Sequence, residues 1–458
     1  MIMLTRATSR RCVMDAGEQL FQAFVSRLRG LGVRHAFLRG YMHFPKVRGG
    51  GDVDMLIHPA DLTKAKAAFC GAAEDAGFHI WQSFSSGFLT RYFSYAAGAK
   101  GEHLFFDLDM HTAEASYGVP YFPARELLEH AVSDSSVACG LSHLSAPVEA
   151  LANGLGHLFM GGRIPEKYRL AWAASKSDSA ARALLVRVVG ERDSQVILEG
   201  LTGPMVDERR DIGARARRRI ARKSPLAALL GFCAFVFGER VKPWLQPRGR
   251  FVIFAGTDGS GKTTLVRELL AKIAPRFRDG VVEEHHLRPG VIPQISSLFH
   301  GGKPAYSIED MSDPHRSTPS GFVGSTLRTC YYWVDYFIGY PLRILPKRSR
   351  NSLIIYDRWF YDHVVDPRRF RIQQGHPLPG FLTRFLAKPD RVLVCTAPPE
   401  VVLSRKQELA PPEVARQVEA FRAFGNATAN ATIIDTSNDL ESCVDQAITA
   451  IFGAASKS

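Results

Sequence analysis

The stretch from Arg250 to Leu270 constrains the fold more than any other part of the chain. Phe251, Val252, Ile253, Phe254 and Ala255 form an apolar run with the length and composition of a buried parallel strand. It ends abruptly in Gly256, Thr257, Asp258, Gly259, Ser260, Gly261, Lys262, Thr263 and Thr264, which complete the pattern GxxxxGKT. Leu265, Leu269 and Leu270 then continue at helical spacing. Strand, glycine loop and helix stand in the order that a phosphate-binding loop requires. The glycines let backbone N–H groups close around phosphate oxygens, and the helix amino terminus adds a favourable dipole. In such a loop Lys262 reaches the β- and γ-phosphates of ATP, and the Thr263 hydroxyl binds magnesium.

A second apolar run, Leu353 to Tyr356, delivers Asp357 and Arg358 at its carboxyl end, where ligands of open α/β sheets gather. Asp357 is placed to hold magnesium through water or to accept a proton from the acceptor group. Arg358 is placed to neutralise phosphate charge. A plain ion pair at a strand end is the competing reading. A third run, Arg391 to Cys395, leads through Pro398, Pro399 and Glu400 into a helix carrying Arg405 and Lys406. The sheet is therefore expected to be parallel with helical crossovers.

GTDGSGKTT at 256–264, the Asp-Arg pair at 357–358 and PDRVLVCTAPPEVVLSRK at 389–406 resemble thymidylate kinases across the whole carboxy-terminal domain. The resemblance implies that Asp357 and Arg358 work at the acceptor phosphate. It also implies that Arg288, Pro289 and Gly290 form a loop after the second strand, and that Arg405 and Arg416 belong to a basic lid. After Arg358 the chain departs from the family, because WFYDHVVDPRRFR puts Asp362, Asp366, Arg368 and Arg369 where residues that hold a pyrimidine are expected. A thymine-sized pocket is not supported by these residues. LRPG at 287–290, Pro314 and His315, SxLRxxYYxxDYxxGY from Ser325 to Tyr340, and DxxVDPRRF from Asp362 to Phe370 resemble thymidylate kinase-like proteins associated with surface polysaccharide genes. Within that segment, Tyr331, Tyr332, Trp333, Tyr336, Phe337 and Tyr340 read as helix core, and Asp335 stands out among them as an acid.

The amino-terminal half carries a different pattern. A strand starting within Leu31 to Leu38 ends at Arg39 and Gly40, and a second strand holds Asp52, Val53 and Asp54. Alternate residues of a strand share a face, so Asp52 and Asp54 point the same way, as do Asp107 and Asp109 in the run Leu104 to His111. Two acids on one strand and a third, favoured as Asp109, on a neighbour suit a pair of magnesium ions in nucleotidyl transfer. The spacing from Gly40 to Asp52 resembles the nucleotidyltransferase superfamily, with Arg39 and Gly40 in place of its usual glycine pair. An inactive copy of that fold is the alternative. Residues 112–205 read as mostly helical, with Leu151, Leu155, Leu158 and Phe159 at helical spacing.

A chain of 458 residues is too long for one hydrophobic core. The expected organisation is a nucleotidyltransferase-like α+β domain over 14–205 with a helical extension, a connector over 206–248, and a P-loop kinase domain over 249–458. Arg215, Arg217, Arg218, Arg219, Arg222 and Lys223 crowd into the connector, followed by an apolar stretch from Pro225 to Gly238 that is too short to span a bilayer. Such a pair of segments suits an anionic membrane surface, or a solvated helix leading into a buried one. The net charge of +13 attracts nucleotides, nucleic acid and anionic lipid alike, and no specific nucleic-acid motif accompanies it.

Seven scattered cysteines without a CxxC pair give neither a zinc site nor a disulfide framework. Arg6, Arg10 and Arg11 are not followed by the apolar core of a secretory signal, so a cytoplasmic location, peripheral to the membrane at most, is expected. The partners expected are a nucleotide, a small-molecule acceptor of nucleotide or sugar type and, among assemblies, a homodimer. The sequence therefore points first to an ATP- and magnesium-dependent small-molecule kinase. Two alternatives stay open: a nucleotidyltransferase with a regulatory kinase-like domain, and a nucleotide-binding factor at a membrane surface.

Overall fold

A computed structural model describes residues 16–39, 41, 52–98, 101–134, 140–161, 177–199, 210–274, 282–293, 318–407 and 409–454. The chain divides into two compact units, Met1–Glu239 and Arg240–Ser458. Gly40, Pro314 and His315, named above for their motifs, lie outside the described residues.

The amino-terminal unit is built on a seven-stranded mixed sheet of order β3-β4-β5-β2-β1-β9-β8. The strands are β1 His35–Arg39, β2 Asp52–Ile57, β3 His79–Ser86, β4 Leu89–Ala97, β5 His103–His111, β8 Ala131–Asp134 and β9 Leu141–Leu144. A separate hairpin joins β6 Ala113–Ser116 to β7 Val119–Pro123. Helix α1, Ala16–Gly30, ends in a turn through Leu31, so the first strand begins at His35, later than the apolar residues alone suggest. Period-two alternation splits each central strand between two cores. Phe37, Val53, Met55 and Ile57 face α1 and α2, Leu62–Asp75. Ala36, Leu38 and Leu56 face the helices α3 Ala146–Gly161, α4 Ser179–Val189, α5 Glu191–Glu199 and α6 Arg210–Lys223.

The basic segment is thus a helix docked on that second core. Ile212 and Ala216 of α6 are buried in that second core, Arg217 donates to the Phe159 carbonyl at 2.9 Å, and Arg215 pairs with Asp193. The apolar segment forms α7, Pro225–Val236, and only Ala228 in it is buried. No helix among the described residues is long and apolar enough to cross a membrane.

The carboxy-terminal unit is a five-stranded sheet of order β11-β12-β10-β13-β14, every pairing parallel. Its strands are β10 Arg250–Ala255, β11 Val282–His286, β12 Leu353–Asp357, β13 Arg391–Thr396 and β14 Ala431–Asp435. Burial on both faces accounts for the nearly unbroken apolar runs in β10 and β12. Phe251, Ile253, Tyr356 and Val394 share a core with Tyr336 of α9, Phe322–Gly339, and Phe421 of α11, Pro411–Ala427. Tyr332, Trp333 and Tyr340 pack against the same core, whereas Phe337, expected there too, is 49% exposed. On the other side α8, Lys262–Ile273, packs with α12, Leu440–Phe452.

One charged clamp fixes the start of β10. The buried Arg348 donates from Nη2 to both oxygens of Asp390, at 2.9 and 2.8 Å, and from Nη1 to the Tyr340 hydroxyl at 2.8 Å. Asp390 in turn accepts from the Phe251 amide at 2.7 Å. Arg348→Met should cost about 3 kcal/mol, because it strands the carboxylate without its cation. The check is the midpoint of urea unfolding, and an unchanged midpoint would remove the clamp from the account.

Candidate functional site

Parallel pairing decides where the chemistry gathers. Phe254 lies opposite Asp357 and Ala255 opposite Val394, so the glycine loop after β10 and the Asp-Arg pair after β12 emerge side by side. Gly256 takes φ 145 and sits so close to β13 that an added Cβ would stand 2.3 Å from the Cys395 carbonyl oxygen. Only glycine meets both conditions. Lys262, at the first position of α8, turns into the loop and donates from Nζ to the carbonyls of Gly256 and Thr257 at 2.8 and 2.7 Å. Burial, reinforced by the nearby Arg358 charge, lowers its pKa. Ser260 is buried, whereas Thr263 and Thr264 are exposed at the mouth of the loop.

Asp258 links the loop to the segment after β12. Its two carboxylate oxygens accept from Arg358 and Arg369. Burial opposes its charge, but the two guanidinium groups hold its pKa well below the usual carboxylate range. Arg358 also donates to Asp362 at 3.2 Å, and Arg369 to Asp366 at 3.3 Å. Three of the charged residues that break the pyrimidine-holding pattern, Asp362, Asp366 and Arg369, therefore join Arg358 and Asp258 in an ion-pair network beside the glycine loop. Asp357 has His286 3.3 Å from one oxygen, while its buried Oδ1 has no hydrogen-bond partner. Burial works against its ionisation, but His286, Lys262 and Arg358 pull its pKa below the ordinary value. The Thr263 hydroxyl and the Asp357 carboxylate are hard oxygen donors of the kind magnesium takes, and the orphaned Oδ1 fits that use.

Arg288 follows Leu287, whose amide donates to the Asp357 carbonyl at 2.9 Å. Its guanidinium lies 3.4 Å from Asp335 and over the Tyr332 ring. Asp335, buried in α9, also accepts from the amides of Gly290, Val291 and Ile292 at 2.9, 2.6 and 2.9 Å. It is the anchor of the whole LRPG loop. Arg405 binds Thr436 at 2.8 and 3.3 Å, beside Gly261, and so reaches the glycine loop. Arg416 instead pairs with Glu413 and donates to the Val365 carbonyl. Thr436, which holds the Ser260 carbonyl at 2.7 Å, has no sequence signal beyond its place at the end of β14.

In the amino-terminal unit β2 and β5 pair in parallel with Asp52 opposite Asp107 and Asp54 opposite Asp109. Asp54, Asp109 and His111 bring ligand atoms within 4.8 Å of one another, on the sheet face that also carries Leu56. Asp52 is exposed at the strand start. Arg39 forms a bidentate pair with Asp54 at 3.0 and 2.8 Å, and Arg91 does the same with Asp109. Burial disfavours charge on Asp54, yet His111 and Arg39 bring its pKa down to about 2. For His111 burial again opposes charge, and Glu114 and Asp54 outweigh it to raise the pKa. A cavity of about 230 Å³ opens here, lined by Arg39, His111, Glu114, Tyr121 and His157 among others.

Asp362 titrates unusually. Burial pushes its pKa up to about 6 against the pull of Arg358, whereas an unfolded aspartate titrates near 3.8. Between those values the folded chain holds a proton that the unfolded chain has lost, so this residue makes the fold less stable as pH rises from about 4 to 6. Asp362→Asn should remove that slope. The stability of wild type relative to the variant should fall by up to about 3 kcal/mol between pH 4 and pH 7. Urea titrations across that range test this, and a pH-independent difference would overturn it.

No family model matches the chain. Over 217 residues, 44% of this chain and 94% of the relative, it is 26% identical to the thymidylate kinase of Lactobacillus helveticus. Among solved structures, a thymidylate kinase from Candida albicans shares 18% identity over 44% of this chain and 91% of that one, with a TM-score of 0.33, a likeness too loose to bear on geometry. Over somewhat less than half of its length, then, the chain is similar to thymidylate kinases.

Proposed function

We propose that the carboxy-terminal unit is an ATP- and magnesium-dependent phosphotransferase that carries the γ-phosphoryl group to a small acceptor of nucleotide or sugar type. The observation that carries this reading is the convergence of the Lys262 loop with Asp357 and Arg358 at one end of a parallel sheet. The 26% identity to a thymidylate kinase supports the same reaction class. When bound, magnesium would neutralise phosphate charge, with Thr263 and Asp357 as its protein donors. Gly256, Asp258, Gly259, Ser260, Gly261, Lys262, Thr263 and Thr264 form the nucleotide loop. Lys262, whose Nζ now donates to loop carbonyls, finds stronger acceptors in phosphate oxygens. Arg288 and Arg358 supply further positive charge, and Arg405 approaches from the α10 helix, Pro399–Arg405. Positioning and charge of this kind account for most phosphoryl-transfer catalysis. Asp362, Asp366 and Arg369 stand where the pyrimidine-holding residues are expected, which argues for an acceptor other than thymidylate, and a role in surface polysaccharide synthesis fits the LRPG and DPRRF segments.

The test is ATP consumption with magnesium against a panel of nucleoside monophosphates, sugars and sugar phosphates. One acceptor should be phosphorylated, and Lys262→Ala should reduce turnover by about 10²-fold or more. Undiminished turnover in that variant would sink the reading.

A second reading rests on Asp54, Asp109 and His111. It makes the amino-terminal unit a nucleotidyltransferase whose metal sits on Asp52, Asp54 and Asp109. Arg39 and Arg91 occupy Asp54 and Asp109 now, so a cation must displace them, and an incoming triphosphate gives both arginines a new partner. In a Lys262→Ala background that removes nucleotide binding at the glycine loop, manganese binding followed by electron paramagnetic resonance should therefore be weak without nucleotide, tighten about 10-fold or more with a nucleoside triphosphate, and be lost when Asp54→Asn is added. Binding indifferent to nucleotide, or to Asp54, removes this reading.

A further inference from the structure

Helix α7 is apolar on every side, the composition of a fully buried helix, yet it is seated on one narrow stripe. Ala228, Gly231, Phe235 and the following Gly238 form that stripe. Gly231 lies against Gly118 in the turn between β6 and β7, so closely that a Cβ on it would stand 2.2 Å from the Gly118 carbonyl oxygen. Phe235 meets the Tyr117 ring edge to face at 5.9 Å, and Gly238 rides over Ser86. Small residues bring the helix in close and leave its larger side chains outside. Leu226, Leu229 and Leu230 are 69%, 58% and 61% exposed, and Cys233 and Phe237 continue the bare stripe at helical spacing.

The flanking charge says what this face meets. Helix α6 runs into α7 through Ser224 alone, and its last turns expose Arg218, Arg219, Arg222 and Lys223, with Asp211 the single acid among residues 211–223. Arg218 and Arg222 share one face at i, i+4 spacing. Arg217, by contrast, is spent on the Phe159 carbonyl and the Tyr117 ring. Five exposed apolar side chains next to four exposed cations fit a surface that is apolar beneath and anionic on top. Twelve residues of helix rise only about 18 Å, too little to cross a bilayer but enough to lie in its headgroup boundary.

The geometry points to α6 and α7 as an interfacial membrane anchor, with anionic lipid as the partner. The leucine face enters the acyl boundary and the basic turn holds the headgroups.

The experiment uses the full chain and flotation with vesicles of phosphatidylcholine, with or without 30% phosphatidylserine. Binding should be at least 10-fold tighter to the anionic vesicles and should weaken at 0.5 M salt. Arg218→Ser, Arg222→Ser and Lys223→Ser together should weaken binding by about 100-fold, as each cation near an anionic surface is worth roughly fivefold. Leu226→Ser, Leu229→Ser and Leu230→Ser together should abolish it while ATP consumption and the unfolding midpoint stay as in wild type. The anchor is overturned if no vesicle binds, or if the serine variants bind as wild type does. It is equally overturned if sedimentation velocity finds a dimer that the leucine substitutions dissolve, since a second copy would then be the occupant of the face.

Discussion

The register of β10 against its two neighbours is the constraint on which the carboxy-terminal site depends. Because β12 and β13 both run parallel to β10, three chain segments far apart in sequence end at one edge: the glycine loop, the Asp-Arg pair, and the turn after Thr396. The packing that enforces this is ordinary, since every residue of β12 is buried and β10 is buried from Phe251 onward. Its consequence is chemical. Gly256 passes under the Cys395 carbonyl, Leu287 hangs from the Asp357 carbonyl, and Thr436 ties the Ser260 carbonyl to the end of β14. A slip of one residue in any of these pairings would take a catalytic candidate out of reach, so the cost of misregister falls on function as well as on burial.

Both units bury acids away from water, and both pair them with arginine. Asp258 is held by Arg358 and Arg369, Asp54 by Arg39 with His111, and Asp109 by Arg91. A planar guanidinium offers two parallel donors to a carboxylate, which suits a site where the charge must be fixed in direction as well as balanced. The two networks differ in what they leave open. Around the glycine loop Asp357 keeps an unpartnered oxygen, whereas in the amino-terminal cluster both oxygens of Asp54 and of Asp109 are already engaged.

What the sequence revealed followed the range of the interactions. The strand, loop and helix from 250 to 270 could be read because every residue that defines them is a near neighbour along the chain, and the aromatic spacing of 332–340 announced a packed helix face for the same reason. That Asp52 and Asp54 share a face, as do Asp107 and Asp109, was legible from period-two alternation, whereas the parallel register that sets Asp54 opposite Asp109 was not. Asp335 was visible only as an odd acid in an aromatic run, because its three amide partners lie more than 40 residues away. Thr436 carried no sign at all, being one hydroxyl at a strand end 176 residues from the carbonyl it holds. Neither could Arg39 and Arg91 be foreseen as the partners of the acid set, since a pairing between side chains on adjacent strands depends on register. For α7, composition spoke for burial, and the glycines that decide how narrow its seat is look in sequence like mere small residues.

Arg358 holds a backbone conformation that side chains other than glycine seldom take, with φ 77. Its amide still bonds to the Phe254 carbonyl at 2.9 Å, so the bend is built into the end of the sheet. Such a conformation costs on the order of 1 kcal/mol or more at a non-glycine residue. Glycine would relieve the backbone but remove the cation shared by Asp258 and Asp362. Selection for a steadier fold and selection for a charged site therefore pull this one position in opposite directions. Among descendants of this chain, an arginine at 358 would mark a lineage still using the site, and a glycine there would mark one that had let it go.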